Sequence, residues 1–384
     1  MRSFLLLSFL VTLWSCQSCG INLPTKYKAD AATVVDSSGL PLHLLTLPEG
    51  FTISVWADNV PNARGMSIAP DGTVFVGSRS EGTVMAIRDK DGNGKADTYY
   101  TLASEIQMPV GVAWYKGDLY ISAVSQILKL PDVLNHLDDS TAPIVVTDKY
   151  PTDTHHGWKY IAFGPDGKLY IPVGAPCNNC ESKEPIYASI TRMNPDGSGI
   201  EIIQRGIRNT VGFTWHPETG ELWFTDNGRD WMGDDMPGCE LNQASKDSLH
   251  FGYPYCHQGN LSDPEFGKKS DCAEFVAPVR VLGPHVAALG LEFIKGAMFP
   301  SSMKHHILIA EHGSWNRSTP IGYRVMRVNP NASGGASYEP FIEGWLQDGK
   351  CWGRPVDLKM MADGAFLLSD DFANCIYRIA YSEK

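Results

Sequence analysis

Apolar and polar residues along this chain alternate in short bursts, and the bursts recur with turn-forming residues between them. The clearest phrase is two or three apolar positions, a Pro-Asp-Gly-like turn, and a second alternating run. It occupies residues 67–76 around Pro70, Asp71 and Gly72, residues 112–121 around Lys116 and Gly117, and residues 161–171 around Pro165, Asp166 and Gly167. Further copies lie at 213–224 and 358–368, and a looser one runs from Leu291 to Ala310 across a longer turn. Period-two alternation bounded by turn formers predicts antiparallel hairpins. No long window carries the 3.6-residue period of an amphipathic helix.

Six such hairpins organise the chain. The first three lie about 45 to 50 residues apart, the length of a four-stranded propeller blade. Later spacings widen, and the excess falls in 228–280 and 310–354, as loop insertions on a propeller would. Further strands are predicted at 83–87, 322–328 and 376–380. The expected fold class is therefore all-β: a six-bladed β-propeller, one domain over 40–384. The 37 glycines and 25 prolines agree with frequent turns and short elements.

The first residues do not belong to that repeat. Met1, Arg2 and Ser3 followed by the apolar run 4–14 have the form of a secretory signal, too short for a spanning helix. Residues 1–18 are read as the signal and 19–39 as a flexible tether, so the chain is expected to be exported, periplasmic or extracellular. Leu13-Trp14-Ser15-Cys16 resembles a lipobox with Trp14 as an unusual member, leaving two readings: lipid anchoring to the membrane through Cys16, or ordinary cleavage near Ser18.

Lys plus Arg total 32 against 43 Asp plus Glu, a formal charge of −11, and no basic run could track a phosphate backbone, so nucleic acid is not an expected partner. Export makes disulfides the default for the cysteines that follow the signal. Nearness in sequence suggests Cys256 with Cys272 and Cys351 with Cys375. Cys177-Asn178-Asn179-Cys180 has no following His for haem attachment and no second copy for zinc, so a structural disulfide is read first, ahead of metal or redox chemistry.

The innermost strand of a propeller blade begins at the central channel, and residues just before it face the channel mouth. Arg64 precedes the first hairpin, His155 and His156 the third, Arg208 and Asn209 the fourth, His285 the fifth and Arg354 the sixth. His156 and Arg208 each stand nine positions before the proline that opens their turn. A single His or Arg at such a loop is ordinarily structural; the shared place in the repeat is what points to a site for an anion and for proton transfer.

Several segments together resemble the sorbosone dehydrogenase and soluble glucose dehydrogenase group of sugar dehydrogenases that depend on pyrroloquinoline quinone (PQQ), from about Leu47 to Ala380. They are His156-Gly-Trp-Lys-Tyr through Tyr170, Gly206-Ile-Arg-Asn-Thr-Val-Gly212, Asp226-Asn-Gly-Arg-Asp230 with Glu240-Leu-Asn242, Phe251-Gly-Tyr-Pro254, His312-Gly-Ser-Trp-Asn-Arg317 and Gly353-Arg-Pro-Val-Asp357. The resemblance implies that His156 is the general base taking a proton from a sugar or alcohol hydroxyl as hydride passes to the quinone. It implies that Arg208 and Asn209 stabilise the oxygen charge that develops, that Arg64 and Arg354 pair with the cofactor carboxylates, and that His155 and His312 lie against the cofactor. It further implies a calcium ion held by the backbone oxygens of Gly228 and Arg229. The insertion after them departs from the glucose dehydrogenase pattern and leaves Asp230, Asp234 and Asp235 unassigned. No haem motif is present, so electrons are expected to leave to an external acceptor, a quinone or a cytochrome.

A second calcium loop is read directly from spacing. Asp89, Asp91, Asn93 and Asp97 take positions one, three, five and nine of an EF-hand-like loop with Gly94 at six, while Tyr100 stands where the Glu at twelve would be. Two other functional classes stay open: a propeller lactonase or esterase using channel calcium, and a propeller that only binds.

Overall fold

The computed structural model describes residues 39–139 and 141–383, so the signal at 1–18 and almost all of the tether lie outside the described residues. The sequence folds as expected into six antiparallel blades. Blade one is Ala63–Ile68, Val74–Ser78, Val84–Arg88 and Thr98–Ala103; blade two is Val112–Tyr115, Asp118–Ser122, Ile127–Leu130 and Ile144–Thr147. Blade three, Ala162–Phe163, Leu169–Val173, Ser189–Met193 and Glu201–Arg205, gains a fifth strand, Leu249–His250, paired parallel at its outer edge. Blade four is Phe213–Trp215, Leu222–Asp226, Gly238–Ala244 and Arg280–Pro284, and blade five Ala288–Phe293, Ile307–Glu311, Arg324–Val328 and Glu339–Ile342.

Blade six joins the two ends of the propeller. Pro355–Met360, Phe366–Asp370 and Cys375–Tyr381 come from the C-terminal end, and Phe51–Ala57 completes the sheet antiparallel to Cys375–Tyr381, with Phe51 opposite Tyr381. Pairing the first strand with the last closes the ring of blades.

The turn chemistry of the repeat is visible in three of the hairpins. The Asp71 carboxylate accepts the Thr73 N–H at 3.0 Å, and the Asp166 and Asp363 carboxylates accept from Lys168 and Ala365 in the same way. Gly72, Gly167 and Gly364 follow those aspartates with φ of +87°, +73° and +91°, the region that glycine enters without steric cost.

Six apolar cores fill the spaces between neighbouring blades, for example Phe75 and Val84 against Leu119 and Ile121, and Leu308 and Val325 against Phe366 and Tyr377. This changes one expectation. The second strands Val74–Ser78, Leu169–Val173, Leu222–Asp226, Ile307–Glu311 and Phe366–Asp370 are buried along their whole length, not on alternate residues, because a blade is covered on both faces. Among the described residues helix is confined to three-residue 3-10 turns, and no helix is long and apolar enough to cross a membrane.

Among the described residues two disulfides are present, Cys177–Cys180 and Cys256–Cys272. The Cys351–Cys375 pairing suggested by sequence nearness is corrected: these two and Cys239 are not disulfide-bonded. Cys351 and Cys375 both lie in the core between blades five and six.

Candidate functional site at the channel mouth

The first strands of the blades pack side by side around the central channel. Partway along, the Lys359 ammonium donates to the Tyr160 hydroxyl at 2.7 Å and to Asp357 at 3.2 Å, a buried plug joining blade six to blade three. A cavity of about 310 Å3 lies at the far end of the channel, between strand ends such as Ile68, Trp114, Phe163 and Met360. The residues predicted to face the channel mouth gather at the other end.

His156 is buried with φ of +51°, a left-handed position in the loop leading to blade three. Its Nδ1 lies 2.9 Å from the Ala175 carbonyl oxygen, which can only accept, so Nδ1 carries the hydrogen and Nε2 presents a lone pair. Burial, then the charge of Arg208 and the neighbouring His155, push this imidazole well below its usual range. Gly174 makes room for it: a Cβ there would stand 2.5 Å from the His156 Cβ. The exposed His155 ring lies 4.1 Å from the His156 ring, and the Trp158 ring stands edge-on at 5.8 Å.

Arg208 and Asn209 are fixed from below. The Asp226 carboxylate accepts both their backbone N–H groups, at 2.9 and 2.7 Å, and the Asn227 amide donates to the Asn209 carbonyl at 3.0 Å. The Arg208 guanidinium donates from Nε to the Asn178 carbonyl, from Nη1 to the Asn227 carbonyl, and from Nη2 to Asn178 Oδ1 and Asp230 Oδ2. Of five guanidinium hydrogens these contacts use four, leaving one Nη1 hydrogen for a ligand. The loop carrying Gly228 and Arg229 is thus held against Arg208 on both sides, at Asn227 and at Asp230. Behind it lies a cavity with room for about one water, bordered by Asp226, Glu240, Tyr253 and His257. His285 donates from Nε2 to the Gly233 carbonyl at 2.8 Å and has Nδ1 3.9 Å from Asp230.

Across the mouth, Arg64 Nη2 pairs with Asp371 at 2.6 Å, and His312 Nε2 donates to the other oxygen of the same carboxylate at 2.7 Å. Arg354 donates to the carbonyls of His312 and Gly313, each at 2.9 Å. Burial would raise the Asp371 carboxyl, but Arg64 and then His312 hold it well below the usual carboxylate range. Burial pushes His312 down to about 4 despite that neighbour.

Arg79 joins the two halves. Its guanidinium stacks 4.2 Å over the Trp158 ring, and burial followed by the charges of Arg64 and Arg354 lowers it to about 10. Sequence reasoning did not select Arg79, Asp371 or Asn178. A second repeat position would have found the first two: Arg79, Asn227, His312 and Asp371 each stand one residue past the end of a blade's second strand.

The mouth fits an anion. Four arginines converge on it while Asp371 and Asp230 are the carboxylates that pair with their side chains, and the buried Nε–H of Arg64 has no partner. Outside the mouth, in the turn between Val84–Arg88 and Thr98–Ala103, the carboxylates of Asp89, Asp91 and Asp97 bring oxygens within 4.8 Å of one another, and Asn93 Oδ1 accepts the Lys95 N–H.

The six-bladed fold is one that known proteins share. A family model described as TrAA12-like matches residues 190–379, and the chain belongs to that family. A Borreliella burgdorferi protein described as uncharacterized is 32% identical over 354 residues, covering 88% of this chain and 91% of its own. The pyrroloquinoline quinone-dependent pyranose dehydrogenase of Coprinopsis cinerea is 21% identical over 432 residues, which is 91% of this chain and 56% of that protein. The holo form of its PQQ domain superposes with a TM-score of 0.73 at 19% identity, covering 88% of this chain and 97% of that one. The calcium structure of the Trichoderma reesei protein of Carbohydrate-Active Enzymes Family AA12 gives 0.72 at 20%, with 88% and 97% covered. These structural likenesses speak for the fold.

Proposed function

We propose that this protein is an exported PQQ-dependent dehydrogenase, loaded with Ca2+, that oxidises a sugar of the aldose or sorbosone kind or a related alcohol. The observation that carries the reading is the pairing of a histidine whose free Nε2 can only accept with a surplus of arginine around it. Bound at the mouth, the quinone would supply a hydride acceptor and the calcium ion a Lewis acid.

The chain's own residues do the rest. Arg64, Arg354 and Arg79 take up carboxylate charge, a task suited to planar multidentate donors. His156 Nε2 accepts the proton of the substrate hydroxyl, which eases loss of hydride from the same carbon. The remaining Arg208 hydrogen and the Asn209 amide face developing oxygen charge, and the Asp226 clamp spares them reorganisation. Asp371 with His312 orients Arg64, and His155 lies beside the base. Gly228 and Arg229 would hold the ion through backbone oxygens, and electrons would leave to an external quinone or cytochrome. The Asp89, Asp91, Asn93 and Asp97 loop would hold a second calcium that stiffens blade one and takes no part in the chemistry.

A lactonase would need carboxylates at the mouth free for calcium, whereas Asp371 and Asp230 are taken by arginine. The test is reconstitution of the purified protein with PQQ and Ca2+, following dye reduction over a panel of aldoses and alcohols. Cofactor-dependent absorbance with turnover is expected. Neither would end this reading, and calcium-dependent lactone hydrolysis would replace it.

A further inference from the structure

Trp231 and Trp315 are each 68% exposed, whereas every other aromatic side chain among the described residues is buried or half-buried. The two come from separate insertions yet meet, ring centroids 5.6 Å apart and planes at 87°. Leaving two indoles in water is unfavourable, and placing them in mutual contact at one rim doubles the apolar surface offered there.

Both are anchored to the mouth. Trp231 follows Asp230, which pairs with Arg208 at 3.1 Å. Trp315 follows the His312–Gly313 segment, whose carbonyls receive Arg354. The two loops are latched together: Arg317 donates to the Asp234 carbonyl and to the Asp235 carboxylate, and Ser318 donates to Asp234 through both its N–H and its hydroxyl. His285 pins the first loop at Gly233. The indoles therefore form a rigid corner beside the channel, with hydrogen-bond acceptors around it.

We propose that Trp231 and Trp315 are a stacking platform for a neutral pyranose ring, the ring next to the one presented to His156, so that the protein prefers saccharides of more than one ring. The C–H face of a pyranose is apolar and weakly positive, the complement of an indole face. Asp230, Asp234 and Asp235 supply acceptors for its hydroxyls. The same acidic rim disfavours an anionic membrane surface as the occupant. A ring giving its hydroxyl to the buried His156 sits inside the mouth, while the indoles project outside it, so the ring on them is a second one. This rests on the dehydrogenase reading for the role of His156.

The test is titration of the full protein, without added cofactor, by tryptophan fluorescence and calorimetry, using glucose, maltotriose and cellotriose. At least one trisaccharide should bind about tenfold more tightly than glucose, and W231A and W315A should each remove that advantage while leaving glucose binding unchanged. H156A should keep it. Equal binding of glucose and both trisaccharides, or an advantage untouched by both Trp variants, would overturn the platform. Dye reduction with PQQ and Ca2+ is measured alongside: turnover without the trisaccharide advantage leaves the dehydrogenase and removes the platform, and the advantage without turnover does the reverse.

Discussion

His156 gives its Nδ1 hydrogen to the carbonyl oxygen of Ala175, 2.9 Å away, and that one contact decides which nitrogen of the ring can act as a base. Replacing His156 by Ala or Asn, the latter tolerant of the left-handed backbone there, should cut kcat by about 10²- to 10⁴-fold while PQQ still binds. Cofactor absorbance and stopped-flow dye reduction on the same samples separate the two effects.

The pH dependence follows from the same environment. A base must be neutral, and burial and Arg208 move His156 well below its ordinary 6.5. On its account kcat/KM should be flat from neutral pH upward and fall only on the acid side of 6.5. An acid limb centred above 7 in wild type would contradict the environment seen around the ring.

Gly174 sets the space for that ring. Gly174→Ala places a methyl 2.5 Å from the His156 Cβ, so the loop must shift, at an expected cost of about 1–3 kcal/mol in denaturant unfolding. The loss of kcat should be larger than this modest destabilisation would suggest, because the displaced group is the base itself.

Much of this arrangement was legible in the sequence, and the gaps have physical causes. The Asp-Gly turns at Asp71, Asp166 and Asp363 mark hairpins locally, so the blade count could be read. Closure by Phe51–Ala57 could not, since its partner strand lies at the other end of the chain and neither carries a signal for the other. His156, Arg208 and Arg354 were found because they precede a first strand, and Arg64 because it stands at the start of one, the second residue of Ala63–Ile68. Arg79 and Asp371 were missed because the mouth is also lined from the ends of second strands. Asn178 acts through a disulfide loop that spacing alone does not place beside Arg208.

Asp371 is the counter-ion of Arg64 and accepts the His312 Nε2 hydrogen, and its removal should be costly. Asp371→Asn leaves Arg64 buried without its partner, with an expected loss of about 3 kcal/mol. The carboxyl is depressed in the folded protein, so its contribution is complete above the unfolded value of 3.8 and lost as pH falls below it. His312, lowered to about 4, acts earlier: kept neutral when folded, it makes stability decline as pH falls from 6.5 toward 4. Urea unfolding across pH 4 to 8 checks both, and a wild-type midpoint unchanged between pH 7 and 4.5 would refute the His312 part.

The Asp89 loop offers a metal test away from the channel. Saturating Ca2+ at about a hundred times its Kd should stabilise the protein by about 2.7 kcal/mol through this loop alone. Asp91→Asn should remove most of the rise in melting temperature seen with calcium and leave reconstituted turnover unchanged.

The Cys177–Cys180 bond closes a very short loop, so its effect on global stability should be small. Its position gives it a different consequence. Asn178, inside the loop, accepts Arg208 Nε on its carbonyl and Arg208 Nη2 on its amide oxygen, both at 2.8 Å, and also accepts the Asp230 N–H. Tyr253 steadies the loop by accepting the Cys180 N–H at 2.9 Å. Replacing both cysteines by serine should loosen this grip and lower kcat by about tenfold, since small misplacement of a charge-stabilising group is expensive in rate. The melting temperature should move little. Reductant added to wild type should reproduce the kinetic loss, and turnover insensitive to both the substitution and the reductant would show that Arg208 is held well enough by Asn227 and Asp230 alone.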